Sequence, residues 1–196
     1  MSDVWVLRHG ESTANVDGLI VSRPTARALQ EVGLTERGRE QARAAARQAR
    51  ELGLGSGALI VSSDFARARE TAEEFARGLG AAAPQLEARL RERSFGRHDE
   101  GPASAYAGIW AIDRERGTHD GEVEQVAAVA ERVLAVLREA DDAAGAAPIV
   151  LVAHGDVLQI ALALGEGRDP HDHRAVPHLG NAELRRLGTA RELLSS

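Results

Sequence analysis

Short apolar runs and longer stripes at helical spacing take turns along this chain. Val4-Trp5-Val6-Leu7 is a compact run rich in β-formers and reads as a buried strand, closed by a turn at Arg8-His9-Gly10. A short helix is expected from Ser12 onward. Residues 17–33 carry Gly18, Pro24 and Gly33 with little periodicity and read as a long surface loop of the kind that is often functional. Thr35 then offers an N-cap to a helix whose apolar stripe is Ala42, Ala45, Ala46, Ala49 and Leu52, stopped by Gly53 and Gly55. Ala58-Leu59-Ile60-Val61 predicts a second buried strand, and Ser62-Ser63-Asp64 opens a helix to about Leu79 with Arg67 in its first turn.

The second half repeats the scheme less clearly. Residues 84–90 suit a short strand or extended segment. From 97 to 121 the chain is polar and aperiodic except for Tyr106, Ile109, Trp110 and Ile112, which suit one helical patch, so this stretch reads as an insertion or lid. Val123, Val126, Ala130, Val133, Leu134 and Leu137 form the stripe of a long helix ending before Gly145. Ile149 to Ala153 is a strand, His154-Gly155 a turn, Asp156 to Leu164 a helix, 165–177 a loop, and Ala182 to Leu187 a final edge strand. Strand and helix alternate throughout, which predicts a three-layer α/β/α sandwich with a largely parallel central sheet in a single domain, 1–196.

Composition adds bounds. A chain of 196 residues buries about 70% of its unfolded surface without needing a disulfide or metal staple. There is no cysteine, which excludes disulfides and thiolate chemistry. A net charge of −6 argues against a general nucleic-acid binder. No basic leader opens the sequence and no apolar run approaches the ~18 residues of a membrane span, so a soluble, cytoplasmic protein is expected. Aromatic residues are only 3%, so the core must rest on small aliphatic side chains.

Chemistry enters through position. Ligands of parallel α/β sheets sit beyond the carboxyl ends of the strands, near a switch in strand order. Arg8, His9, Arg67 and His154 all fall just past predicted strand ends, so four groups that singly suit structural roles converge as a cationic pocket for a tetrahedral dianion. Gly10 and Gly155 suit either close backbone approach to that anion or simple turn geometry. Ser12 and Asn15 suit phosphate ligands, Ser12 equally a helix cap. His171-Asp172-His173, followed by His178, invites a metal reading, against which stands that of an ordinary solvated loop; His98 and His119 read as surface or pocket-rim residues.

Leu7-Arg8-His9-Gly10-Glu11-Ser12 with Asn15, Gly33-Leu34-Thr35-Glu36-Arg37-Gly38 with Gln41-Ala42, and Ser62-Ser63-Asp64 with Arg67-Ala68 and Glu70-Thr71-Ala72 come first in an ordered series. Leu90-Arg91-Glu92 with Phe95-Gly96, Gly121-Glu122 with Arg132, and Val152-Ala153-His154-Gly155 complete it. This set, spanning nearly the whole chain, resembles the histidine phosphatase superfamily, which includes phosphoglycerate mutases and many small phosphatases. The resemblance implies the phosphoglycerate mutase-like fold and a cycle through phosphohistidine, with His9 as nucleophile, Arg8, Arg67 and His154 on the non-bridging oxygens, and Glu92 as proton donor. It implies a phosphomonoesterase of the histidine acid phosphatase type, with no cofactor and no metal. The expected partner is a small phosphorylated metabolite, neither nucleic acid nor membrane, and a homodimer is compatible with this.

The chain departs from the pattern in two places. Where relatives carry an arginine followed by Gln-Gly after the first helix, this chain has Gly18 to Pro24, and Ser22 and Arg23 are candidates to fill that substrate-binding role. Where relatives show Trp-Glu-Gly beyond Phe95-Gly96, it reads His98-Asp99-Glu100-Gly101. The short chain favours a phosphatase over a mutase; a non-catalytic phosphate-binding module is the alternative of another class.

Overall fold

The computed structural model describes residues 2–194. Its centre is a five-stranded sheet of β1 (Asp3–Arg8), β2 (Leu59–Ser62), β3 (Gln85–Leu86), β4 (Ile149–Ala153) and β5 (Leu184–Thr189) in the order β3-β2-β4-β1-β5. The pairings β1 with β4, β4 with β2 and β2 with β3 are parallel, and β5 alone is antiparallel, at the edge beside β1. The expected mixed α/β sandwich with a largely parallel sheet is what the chain adopts.

The pleat sorts side chains into two cores. Val4 and Val6 of β1 and Ile149, Leu151 and Ala153 of β4 face one way, against α5 (Val126–Ala144), α6 (Gly155–Gly165) and the short α7 (Ala190–Leu194). Leu7, Val150 and Val152 face the other way, against α2 (Glu36–Glu51) and α3 (Ala66–Leu79). All five residues of β4 are buried, as expected of a central parallel strand covered on both faces. On the second face the filler is mostly alanine, with Ala45, Ala46 and Ala49 of α2 against Ala72, Phe75 and Ala76 of α3, which suits a chain short of aromatics.

Several expectations need correction. Residues 17–33 are not simply a surface loop: after α1 (Thr13–Asp17), Ile20, Val21, Ala28 and Val32 are buried and Arg27–Glu31 forms one π-helical turn. Ile20 donates to the Gly101 carbonyl and Glu100 to the Ile20 carbonyl, so long-range partners satisfy a backbone that showed no local period. Leu52 caps α2 and is half exposed, while Leu54 goes into the core instead. α3 starts at Ala66, past the serines, and α5 at Val126; Val123 bridges to Phe95. β5 begins two residues later than expected, and the loop 165–177 contains a 3-10 helical segment, Pro170–Ala175. Within 97–121, α4 (Tyr106–Arg114) places Ile109 in a small core with Ile20, Phe95 and Val123, whereas Ile112 stays exposed.

Candidate active site

The register of the sheet explains why the expected residues meet. Arg8 pairs with Ala153 and Val152 with Ser62, so the three parallel strands end level and release His9, Ser63 and His154 at one edge. His9 and His154 lie with ring centroids 5.3 Å apart, both almost wholly buried. Arg67, from the first turn of α3, joins them, as does Glu92, which lies between a 3-10 turn and Phe95. Arg8, His9, Ser12, Asn15, Arg67, Glu92 and Tyr106 line one cavity of about 490 Å³, counting its open mouth.

His9 is aimed by its own turn. Its Nδ1 lies 2.7 Å from the Gly10 carbonyl oxygen, which can only accept, so Nδ1 carries the proton and Nε2 keeps a free lone pair. That turn is fixed in turn by Gly10 N–H donating to Thr71 Oγ1 at 3.0 Å. A Cβ at Gly10 would lie 2.5 Å from the Gly38 carbonyl oxygen, so glycine is required there by contact with the start of α2, not by an anion. At Gly155 a Cβ would meet only the Arg8 guanidinium at 3.8 Å, ordinary contact.

Ser63 sets the second histidine. Its Oγ accepts from Phe65 N–H at 3.3 Å and lies 2.9 Å from His154 Nε2. The Ser63 hydroxyl hydrogen has no other acceptor among the described residues, and given to Nε2 it leaves Nδ1–H as the histidine's donor. Of the buried side-chain nitrogens that have no hydrogen-bond partner among the described residues, three belong to this site: His154 Nδ1, Arg67 Nη1 and Arg8 Nε. The same arginines are anchored by their other nitrogens, Arg67 to the Val21 carbonyl and Arg8 to the Leu179 carbonyl, each at 2.8 Å. Orphaned buried donors are costly, and two on the arginines lining the cavity, with a third on His154 packed against the His9 ring, describe a receptor for acceptor oxygens.

Burial dominates the titration. Desolvation, reinforced by Arg67 and Arg8, holds His9 well below the usual histidine range, and His154 is depressed for the same reasons. Both imidazoles are therefore neutral near pH 7. Desolvation lowers Arg67 to about 10, still cationic, and lowers Arg8 as well. Glu92 moves the opposite way, to about 7, chiefly through burial and then through the negative charge of Asp156, against the pull of Arg67 and Arg8. Its Oε1 accepts from Arg93 N–H at 2.9 Å.

Ser12 and Asn15 line the cavity while also forming a capping box at α1: Asn15 Oδ1 accepts from Ser12 N–H at 3.0 Å and Ser12 Oγ from Asn15 N–H at 3.3 Å. Gly155 opens α6 on a neighbouring cavity with Arg8 and Glu92. Ser22 and Arg23 are not brought in. Asp99 collects Ser22 N–H and Oγ at 2.6 and 2.8 Å and Arg23 N–H at 3.1 Å, and the Arg23 side chain pairs with Glu122 at the surface. Asp99 belongs to the stretch that departs from the family pattern, so the two departures are bonded to each other and not to the cavity.

Beside Glu92 lies a second cluster that residue types alone did not announce. Arg93, fully buried, makes a fork to Asp113 at 2.7 and 2.9 Å and reaches Asp156 at 3.3 Å and the Glu124 carbonyl at 2.7 Å. Trp110 Nε1–H donates to Asp156 at 3.0 and 3.1 Å, and His119 Nε2 lies 2.6 Å from Asp113. His119 is thus not a rim residue, nor is His173 solvated: its side chain is buried with Nε2 3.9 Å from both aspartates. The histidines of 171–178 do not converge: His171 pairs with Asp169 and His178 lies 3.3 Å from Arg8. Ligand-type atoms of Asp113, Asp156 and His173 fall within 4.8 Å of one another. Arg93 already donates to both carboxylates, so the positive charge there comes from the protein. The available signal was positional: Arg93 follows Glu92, and Asp156 follows His154 by two residues.

Comparison with known proteins agrees with this geometry. The family model of the histidine phosphatase superfamily, branch 1, matches residues 4–194. A probable phosphoglycerate mutase of Escherichia coli is 32% identical over 165 residues, covering 81% of this chain and 72% of its own. The native structure of a mycobacterial glucosyl-3-phosphoglycerate phosphatase superposes with a TM-score of 0.74 at 28% identity, covering 93% of this chain and 88% of that one. A phosphoserine phosphatase mutant from Entamoeba histolytica shares the fold, with a TM-score of 0.75 at 21% identity over 94% and 89% of the two chains. With its fold, its ordered motifs and a match over nearly its whole length, the chain belongs to the histidine phosphatase superfamily.

Proposed function

We propose that the protein is a phosphatase that hydrolyses a phosphomonoester through a phosphohistidine on His9. The observation that carries this reading is the set of buried donors without a partner among the described residues, Arg8 Nε, Arg67 Nη1 and His154 Nδ1, beside a histidine whose Nε2 is free. Phosphoryl transfer asks mainly for positioning and for charge stabilisation at the non-bridging oxygens, and these three groups supply both. In the first half, a bond forms between His9 Nε2 and phosphorus as the ester P–O bond breaks, and Glu92 gives its proton to the leaving oxygen. In the second, water attacks phosphorus, its proton passes to the Glu92 carboxylate, and the Nε2–P bond breaks to release phosphate. A carboxyl titrating at about 7 serves as acid in one half and base in the other.

The structurally similar mycobacterial phosphatase favours this reading. A second reading, return of the phosphoryl group to a sugar acid instead of water, is favoured by the curated relatives named probable phosphoglycerate mutases. Turnover of p-nitrophenyl phosphate with chelator present, lost at least ~10⁴-fold in His9→Ala, together with acid-labile phosphate on His9 after rapid quenching, supports the proposal. Equal rates in wild type and variant overturn it. Conversion of 3-phosphoglycerate to 2-phosphoglycerate faster than phosphate release favours the mutase.

A further inference from the structure

The cluster beside Glu92 bears on the same reaction. One guanidinium, Arg93, serves two buried carboxylates, Asp113 and Asp156; His119 lies 2.6 Å from Asp113, and His173 Nε2 is 3.9 Å from both carboxylates. Asp113 takes two of the Arg93 bonds in a fork, whereas Asp156 receives only a longer one, at 3.3 Å. Asp156 depends for the rest on the indole N–H of Trp110. It also lines, with Glu92 and Arg8, the cavity adjoining the phosphate site.

We infer that Asp156 is a positioning residue for the proton donor: held by Arg93 and Trp110 but sharing that guanidinium with Asp113, its carboxylate sets a partly compensated negative charge beside Glu92 and keeps the Glu92 proton in place. This rests on the phosphatase reading above. The neighbours of Glu92 come from every element around it. Arg8 from β1 and Arg67 from α3 pull toward the carboxylate form, while Asp156 from α6 opposes them. Tyr106 of α4 faces Glu92 as a phenol, its ionisation pushed up by burial and by Glu92 itself. Arg174 and His178 also line the adjoining cavity, and His173 Nε2 lies 3.9 Å from Asp156. Without Asp156, two guanidiniums would act on Glu92 with no nearby carboxylate to offset them.

The arrangement also ties the proton donor to its surroundings. Arg93 directly follows Glu92, Asp156 follows His154 by two residues, and Asp113 and Trp110 belong to α4, which carries Tyr106 over the cavity. One buried cluster therefore connects proton donor, second histidine and the covering helix.

The test compares an ester that needs leaving-group protonation, glycerol 2-phosphate, with one that does not, p-nitrophenyl phosphate, across pH. In Asp156→Asn the basic limb for glycerol 2-phosphate should move to lower pH. A one-unit move cuts the protonated fraction at pH 7 about five-fold, with a smaller loss for p-nitrophenyl phosphate and convergence with wild type near pH 5. In a Glu92→Gln background the same substitution should add no further loss. Equal losses on both esters at every pH, or additive losses in the double variant, overturn the inference. Trp110→Phe supplies the opposite sign if Asp156→Asn fails to fold: freed of its indole bond, the Asp156 charge should move the limb upward, and an unmoved limb overturns the inference. Carboxyl ¹³C NMR of Glu92 gives the comparison without turnover. A titration that falls in Asp156→Asn supports the inference and one that stays overturns it; a protein whose Glu92 responds as expected but which hydrolyses no ester overturns the phosphatase reading alone.

Discussion

Two buried clusters of charge lie side by side at the carboxyl end of this sheet, and they are built on opposite principles. Around His9, the cations Arg8 and Arg67 and the donor His154 each keep one nitrogen unpartnered. Around Arg93, both aspartates and the indole of Trp110 are bonded directly to their neighbours. Burying charge without partners costs stability, and burying it with partners costs far less. The first cluster is therefore strained toward an anion, and the second holds the walls in place. Substitutions that treat the two alike should give opposite results.

The largest effect should come from the Arg93 side. Arg93→Met leaves Asp113 and Asp156 buried and uncompensated, and breaking such a pair typically costs about 3–5 kcal/mol. Urea unfolding should show a midpoint lowered accordingly. A midpoint within experimental error of wild type would mean that the buried pair contributes nothing net.

On the unsaturated side the sign reverses. Arg67→Met removes a desolvated guanidinium whose Nη1 has no partner and whose charge depresses both histidines. Stability should hold or rise, while turnover falls about 10²–10³-fold, the usual effect of deleting one preorganised donor. A loss of stability comparable to that of Arg93→Met would erase the distinction between the clusters.

The acid side of the stability profile follows from the same asymmetry. His9 and His154 titrate well below the unfolded value near 6.5. Their neutral burial therefore adds stability fully present above that value and lost as pH falls below it. Glu92, raised to about 7, has the opposite dependence: its contribution is complete below the unfolded carboxylate value and is lost as pH rises toward 7. In His9→Ala the acid-side fall in thermal midpoint should be shallower, whereas in Glu92→Gln the decline between pH 4.5 and 7 should flatten. An unchanged acid limb in the first variant would show that His9 titrates alike in the folded and unfolded states.

What was legible in the sequence tracks the physics of each region. The strands β1 and β4 announce themselves as apolar runs, and the residues just past them must share an edge if the strands are parallel, so Arg8, His9 and His154 could be placed together. Arg67 followed from its position in the first turn of a helix that begins beyond a strand. The network could not be found this way, because Arg93, Asp113 and Asp156 lie 20 to 63 positions apart on segments with no common period. A buried arginine and a solvated one look the same in a one-dimensional pattern. Ser22 and Arg23 failed for a related reason: their partner Asp99 lies 77 and 76 residues away, and position in a family motif does not reveal a side chain engaged elsewhere.

The smallest predicted effect tests how finely the unsaturated cluster is prepared. His154 keeps Nδ1–H as its donor where Nε2 accepts from Ser63, and neutral imidazole has otherwise no reason to prefer that tautomer. Ser63→Ala leaves the ring in place, packed edge-on to Phe65 with centroids 5.3 Å apart, but releases the choice. Loss of one such hydrogen bond is typically worth about 1 kcal/mol, so inorganic phosphate should inhibit about five-fold more weakly. Ser63→Thr, which retains the hydroxyl, should recover most of this. Because Ser63 neither lines the His9 cavity nor bonds to the Arg93 cluster, the change should appear in phosphate affinity with little shift in the pH of the basic limb. If Ser63→Ala instead moved that limb as Asp156→Asn is expected to, the tautomer of His154 and the proton on Glu92 would be coupled, and the two clusters would be one.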